Sequence, residues 1–228
     1  MRVAVVVFPG SNCEQDAVYA LRLLGAQGDL VWHRDADLSG CDGVVLPGGF
    51  AHGDYLRPGA IARFSPVMRE VERLAREGRP VLGICNGFQV LCEAGLLPGA
   101  LIANRDLAFI CRFVPVRVAD TGTVLTAAAR DGQVLRIPLA SYQGNYLAAT
   151  TGPRVVLEYC QPDGSVTEAG NPNGSARNAA AVANRAGNVV GVMPHPERAV
   201  EKVLGSTDGR VLIEGFLASL RSPVALSS

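Results

Sequence analysis

The sequence predicts an α/β fold: a mostly parallel central sheet with helices on both faces, and additional antiparallel strands in the C-terminal half. Three observations predict it. Through about residue 95, short Val- and Ile-rich runs alternate with helix-period segments, the pattern of strand–helix–strand crossovers. The apolar runs end in turn clusters, Pro9-Gly10-Ser11-Asn12 and Pro47-Gly48-Gly49 among them. From about residue 100 to 192 the helical period gives way to strand-like segments separated by turn residues.

Residues 3–8 read as a buried strand. Asn12 is placed to cap a helix over 13–24, with Gln15 in the capping-box position. Val18, Leu21 and Leu24 recur there at helical spacing, and Gly25 ends the helix. Strands are expected near 29–32 and over 43–46. A long amphipathic helix follows over 60–77, a buried strand over 80–84, and a helix over 86–94 closed by Gly95. Segments 109–118, 134–140, 154–160, 179–184 and 188–193 are strand-like, extending or flanking the main sheet as antiparallel strands. A last helix is expected over 208–220, before a polar tail expected to fray. No linker or repeat interrupts 1–228, so one domain is expected.

Composition excludes several functions. The chain has 228 residues, 48% apolar and 18% charged, with 21 basic against 21 acidic side chains. That is a globular balance without the basic face of a dedicated nucleic-acid binder. Lys202, the single lysine, is followed by Val203, so no Walker A loop is present. The N-terminal apolar run is short for a secretory signal and lacks a cleavage site. No run approaches the ~18 apolar residues of a membrane span. A cytoplasmic location is therefore expected, with no membrane or nucleic-acid partner. The six cysteines, Cys13, Cys41, Cys85, Cys92, Cys111 and Cys160, are then reduced thiols, and none stands in C-x-x-C spacing. No metal site is expected.

Two segments carry chemistry. In Val81-Leu82-Gly83-Ile84-Cys85-Asn86-Gly87-Phe88-Gln89 a buried strand turns at once into a helix with Cys85 at the corner. This is a nucleophile elbow with sulfur in place of oxygen. Gly83 and Gly87 permit the sharp turn, the helix N-terminus favours a thiolate, and the N–H of Asn86 can face an oxyanion. The other five cysteines are read as small packing residues. Of the three histidines, His33 and His52 are read as structural. His195 sits in a stiff Pro194-His195-Pro196 frame after a buried strand, with Glu197 two residues later, on a segment expected to be extended and so facing the same side, to fix its tautomer. A Gly48-Gly49 turn closing another strand can supply the second oxyanion N–H.

The G-x-C-x-G elbow at Cys85, Gln89 four residues on, the upstream Pro47-Gly48-Gly49 and the downstream His195-Pro196-Glu197 together resemble a class I (triad) glutamine amidotransferase, flavodoxin-like in fold. Further runs narrow the resemblance: residues 8–14, residues 47–57, Phe109-Ile110-Cys111-Arg112 and Pro194-His195-Pro196-Glu197 resemble the glutaminase subunits of phosphoribosylformylglycinamidine synthases. One departure is Ala140-Ser141-Tyr142-Gln143-Gly144, where an Ala-His-Gly-Glu-Gly-like segment is expected. The resemblance implies that Cys85, His195 and Glu197 hydrolyse L-glutamine to glutamate and ammonia. Gly49 and Asn86 form the oxyanion hole, and Gly48 and Gln89 contact substrate. Ammonia passes to a large synthetase subunit, with a small accessory subunit in the same complex. No cofactor is implied in this chain; ATP and Mg²⁺ belong to the synthetase, which amidates formylglycinamide ribonucleotide in purine biosynthesis. Residues 50–58 and 105–115 are the expected docking face. The alternatives are another class I amidotransferase, a cysteine hydrolase on a similar sheet, or a non-catalytic binding module.

Overall fold

The computed structural model describes residues 1–148 and 152–221; the tail expected to fray lies largely outside them. In chain order the first half contains β1 (Arg2–Val7), α1 (Glu14–Leu23), β2 (Gln27–Trp32), β3 (Gly43–Leu46), α2 (Val67–Arg76), β4 (Val81–Ile84) and α3 (Asn86–Glu93). The second contains β5 (Ala100–Ile102), β6 (Ile110–Val118), β7 (Val134–Ser141), β8 (Asn145–Leu147), β9 (Arg154–Tyr159), β10 (Ala179–Ala183), β11 (Val189–Val192) and α4 (Gly209–Ser219).

Nine strands form one sheet in the order β2-β1-β3-β4-β11-β10-β9-β6-β7. From β2 to β11 neighbours are parallel; from β11 to β7 they are antiparallel. Val3 to Val6, Val44 to Leu46 and Val189 to Val192 are buried almost completely, as strands covered on both faces must be. The faces can be assigned from two residues of β3. A Cβ built on Gly43 would meet Phe216 of α4 and Leu220 just beyond it. Leu46, three residues on and therefore facing the other way, lies against Gly87 of α3. Helices thus cover opposite faces, as the alternation of segments predicts.

Three local expectations are corrected. The helix expected over 60–77 is broken: Ala62–Phe64 is a short 3₁₀ turn, Ser65 is extended with ψ 141°, and α2 begins after Pro66. Proline disfavours helical backbone in the residue before it, which stops the first segment. The Asn12–Gln15 capping box does not form. Cys13 is the cap residue without a side-chain bond to the helix, while the Asn12 and Cys13 N–H groups both donate to the Gly48 carbonyl. Finally, β11 is not only a flanking antiparallel strand: it pairs antiparallel with β10 on one side and joins the parallel strands on the other. It pairs parallel to β4 from Val189 against Val81 to Val192 against Ile84. The small antiparallel sheet of β5 and β8 was not expected; three-residue strands carry too little alternation to be read.

Candidate functional site

Adjacent parallel strands end together, so the chain segments leaving β4 and β11 start side by side. Cys85 leaves β4, its N–H donating to the Val192 carbonyl at 2.7 Å. Its backbone stands at φ 50°, ψ −104°, a left-handed conformation costing about 1–3 kcal/mol in a non-glycine residue. The elbow exists because its neighbours have no side chains. A Cβ on Gly87 would lie 2.0 Å from the Leu46 carbonyl oxygen, and one on Gly83 would lie 2.6 Å from that of Gly87. Cys85 is 8% exposed, and its thiol is directed toward the Ala140 carbonyl, 3.7 Å away.

His195 follows β11 by way of Met193 and Pro194, and its N–H is anchored on the Pro138 carbonyl of β7 at 2.7 Å. Its Nδ1 lies 2.6 Å from Glu197 Oε1, with both side chains buried. Glu197 was expected on extended backbone; instead Pro196–Arg198 is a 3₁₀ turn with His195 as its cap. The turn still carries the carboxylate back under the ring. Burial opposes charge on His195, but Glu197, with lesser help from the Cys13 and Cys85 thiols, overrides it and holds the imidazole well above its usual pKa. The Nε2 atom is buried without a hydrogen-bond partner among the described residues. A thiol and an imidazole whose second nitrogen is held by an acid are the parts of a nucleophile–base pair.

The turn after β3 lies beside the elbow. Gly49 has φ 145°, and a Cβ there would lie 2.7 Å from Ser11 Cα. Neither the Gly49 nor the Asn86 N–H is taken by an acceptor among the described residues. The Asn86 side chain ties this turn to the helix. Its Oδ1 accepts from the Ala51 N–H at 2.9 Å, and its Nδ2 donates to Asp54 Oδ1 at 3.1 Å and Gln89 Oε1 at 2.8 Å. Gln89 Nε2 donates in turn to the Gln143 carbonyl at 2.7 Å. The Gln89 amide keeps one N–H and one lone pair free for a ligand.

These groups surround a cavity of about 210 Å³ whose walls include Cys85, Gln89, Gly49 and His195. Gly48 is not in the wall; it packs beneath, where a Cβ would lie 2.8 Å from His195 Cε1. The departing loop Ser141-Tyr142-Gln143 forms another wall. Asp54, Arg198 and Cys13 also border the cavity, although the sequence did not mark them as site residues. Cys13 corrects the packing assignment for the other cysteines, since Arg198 Nη2 donates to its Sγ at 3.0 Å. Cys111 corrects it differently, because it is exposed. Cys41, Cys92 and Cys160 have no place in the cavity wall. His33 and His52 lie outside it, the two rings 5.2 Å apart edge to face and His33 Nδ1 2.9 Å from Ser65 Oγ.

Asp54 is half buried, and that desolvation pushes its carboxyl up to about 6, against the opposing Asn86 hydrogen bond. A folded-state pKa above the unfolded 3.8 means that the native state binds the proton more tightly. Stability from this group therefore falls as pH rises from about 4 to about 6 and stays lower above that. Asp54→Asn is expected to remove this slope, leaving the variant the more stable partner at neutral pH. Thermal unfolding of both proteins across that window measures it, and parallel curves would contradict it.

A family model described as a CobB/CobQ-like glutamine amidotransferase domain matches residues 1–212. The subunit named phosphoribosylformylglycinamidine synthase subunit PurQ from Gloeobacter violaceus is 54% identical over 227 residues, 96% of this chain and 98% of that protein. Its namesake from Rubrobacter xylanophilus is 54% identical over 228 residues, 97% and 100% of the two chains. Among solved structures, a chain of PurLQS from Thermotoga maritima superposes with a TM-score of 0.89 at 42% identity, over 96% of this chain and 98% of that one. A putative GMP synthase protein from Thermoplasma acidophilum shares the fold at 17% identity, with a TM-score of 0.64 over 97% and 95% of the two chains.

Proposed function

The chain belongs to the CobB/CobQ-like glutamine amidotransferase family, and from that membership we propose that it is the glutamine-hydrolysing subunit of a phosphoribosylformylglycinamidine synthase. The observation that carries the reading is the convergence of Cys85 and His195, from the ends of adjacent strands, on one cavity, with Glu197 holding the imidazole from behind. L-Glutamine enters that cavity with its carboxamide over the thiol. The Cys85 thiol gives its proton to His195 Nε2 as the attack begins. Cys85 Sγ attacks the carboxamide carbon, and the oxyanion is received by the N–H groups of Gly49 and Asn86, each donor worth about 10²–10³ in rate. His195 delivers a proton from Nε2 to the departing nitrogen, releasing ammonia and leaving a thioester. It then takes a proton from water, whose oxygen attacks the thioester carbon and frees glutamate and the thiol. Glu197 accepts from Nδ1 throughout and keeps Nε2 facing the cavity. Gln89 contacts the substrate, while Gly48 supports His195 from below.

The ammonia is used by a larger synthetase subunit, with a small accessory subunit in the same assembly. ATP and Mg²⁺ belong to that synthetase. An apolar rim supports such docking. Phe50, Tyr55, Leu56, Leu107, Phe109 and Tyr142 are all exposed, Leu56 by 88%, and Phe50, Phe109 and Tyr142 also wall the cavity. Apolar groups gathered at a cavity mouth mark an interaction surface. Of the expected docking segment 105–115, Leu107 and Phe109 belong to this rim, and the residues from Ile110 onward form β6.

The test is ammonia release from glutamine by the chain alone, and with the synthetase, formylglycinamide ribonucleotide and ATP. Stimulation by the complete set is expected. Glutaminase activity indifferent to it would assign the chain to a different amidotransferase reaction.

A further inference from the structure

Cys13 is a buried thiol with no part in the proposed hydrolysis, yet it stands against the triad. Its Sγ, a ring nitrogen of His195 and a carboxylate oxygen of Glu197 all lie within 4.8 Å of one another, and all three residues are buried. Gly48 makes this possible, since a Cβ there would meet both His195 Cε1 at 2.8 Å and Cys13 Sγ at 3.0 Å. Glu197 also carries a buried carboxylate oxygen, Oε2, with no hydrogen-bond partner among the described residues, and His195 offers Nδ1, the ring nitrogen on the Glu197 side. Unsatisfied polar atoms in such a place cost free energy unless something else binds them.

We propose that Cys13, His195 and Glu197 form a binding site for a soft divalent cation of the zinc type, and that its occupation switches the glutaminase off. The donor set decides the class of ion. Thiolate, imidazole and carboxylate together suit Zn²⁺, whereas Mg²⁺ and Ca²⁺ take oxygen ligands. A tetrahedral Zn²⁺ held at ~2.0–2.3 Å from each ligand places them roughly 3.5 Å apart. The three donors therefore need only side-chain adjustment to close on it. The cavity beside Cys13 and His195 leaves the fourth position to water. Charge balances as well, because the two anionic ligands neutralise the ion. The Arg198 guanidinium beside Cys13 is itself paired, its Nε donating to Asp16 Oδ2 at 3.0 Å. The inhibitory consequence rests on the proposed triad, since the bound ion would take His195 and Glu197 from it; the binding itself does not.

Co²⁺ reports thiolate ligation by its charge-transfer absorption and is added to the Cys85→Ser protein, in which Cys13 is the remaining thiol of the cavity. The expected result is a band that saturates near one equivalent and is displaced by Zn²⁺. In Cys13→Ser/Cys85→Ser the band is lost, and in Glu197→Gln/Cys85→Ser affinity falls by about tenfold or more. Cys13→Ala substitutes for the serine change if that variant does not fold. A band that survives loss of Cys13, or that requires Cys85, overturns the site. Separately, Zn²⁺ is expected to inhibit ammonia release by the unmodified chain and a chelator to restore it. Cobalt binding through Cys13 without such inhibition overturns the switch.

Discussion

Cys85→Ala is expected to abolish ammonia release from glutamine, by a factor on the order of 10⁶, the scale seen when the nucleophile of a triad is removed. The change takes away one sulfur atom and leaves the elbow standing. Alanine adopts the same backbone at similar cost, and the glycines that permit the turn are untouched. The fold and the docking rim should therefore persist. A complex containing the variant should still amidate its substrate when ammonium is supplied, while glutamine no longer serves. A glutamine-analogue electrophile should label the unmodified chain at Cys85 and leave the variant unlabelled. Retained glutaminase activity in Cys85→Ala would remove the nucleophile from the mechanism, and would return the Cys85 site to the packing role that buried cysteines ordinarily fill.

Glu197→Gln should cost on the order of 10⁴-fold in glutaminase rate, as loss of the orienting acid does in Ser-His-Asp enzymes. The amide can still accept from Nδ1, but it carries no charge. Burial, the largest influence on His195, is then opposed only by the thiols. The imidazole pKa should fall from well above its usual value toward or below about 6.5, which an NMR titration of the ring reads directly. The sign for stability follows from the same shift. A raised folded-state pKa stabilises fully below the unfolded value and loses that contribution as pH rises through the folded one. The unmodified protein should therefore exceed Glu197→Gln in stability by the full margin at about pH 6, with the gap narrowing as pH rises through the raised imidazole pKa. A gap that widened with pH would mean that Glu197 does not hold a proton on His195.

Much of this was legible in order along the chain. The Val-rich runs gave the strands, because strands buried on both faces have little choice but β-branched and aliphatic residues. Gly83, Cys85 and Gly87 announced the elbow, because a backbone that tight excludes side chains at the flanking positions. His195 and Glu197 could be paired from two residues of separation even though the local backbone was misjudged: a 3₁₀ turn and an extended segment both bring i and i+2 within reach of a long carboxylate. Pro66 is equally plain in the sequence, and it breaks the apolar period over 60–77 because proline disfavours helical backbone in the residue before it.

The rest needed partners distant in sequence. Asn86 could be named for its backbone N–H, but its amide side chain bonding Ala51, Asp54 and Gln89 has no signature, since any exposed asparagine looks the same in a sequence. Asp54 acquires its raised pKa only from burial, and Cys13 acquires its neighbours only because α1 starts beside the turn after β3. The sequence by itself determined which residues are chemically able to act: the turn geometry, the nucleophile, and the histidine with its acid. Tertiary structure decided where they act, through one choice of strand order. Inserting β11 beside β4, parallel and with Gly191 opposite Gly83, brings together residues separated by more than a hundred positions. The sequence is silent on it because a buried apolar strand pairs equally well with several neighbours until the rest of the sheet has taken its places.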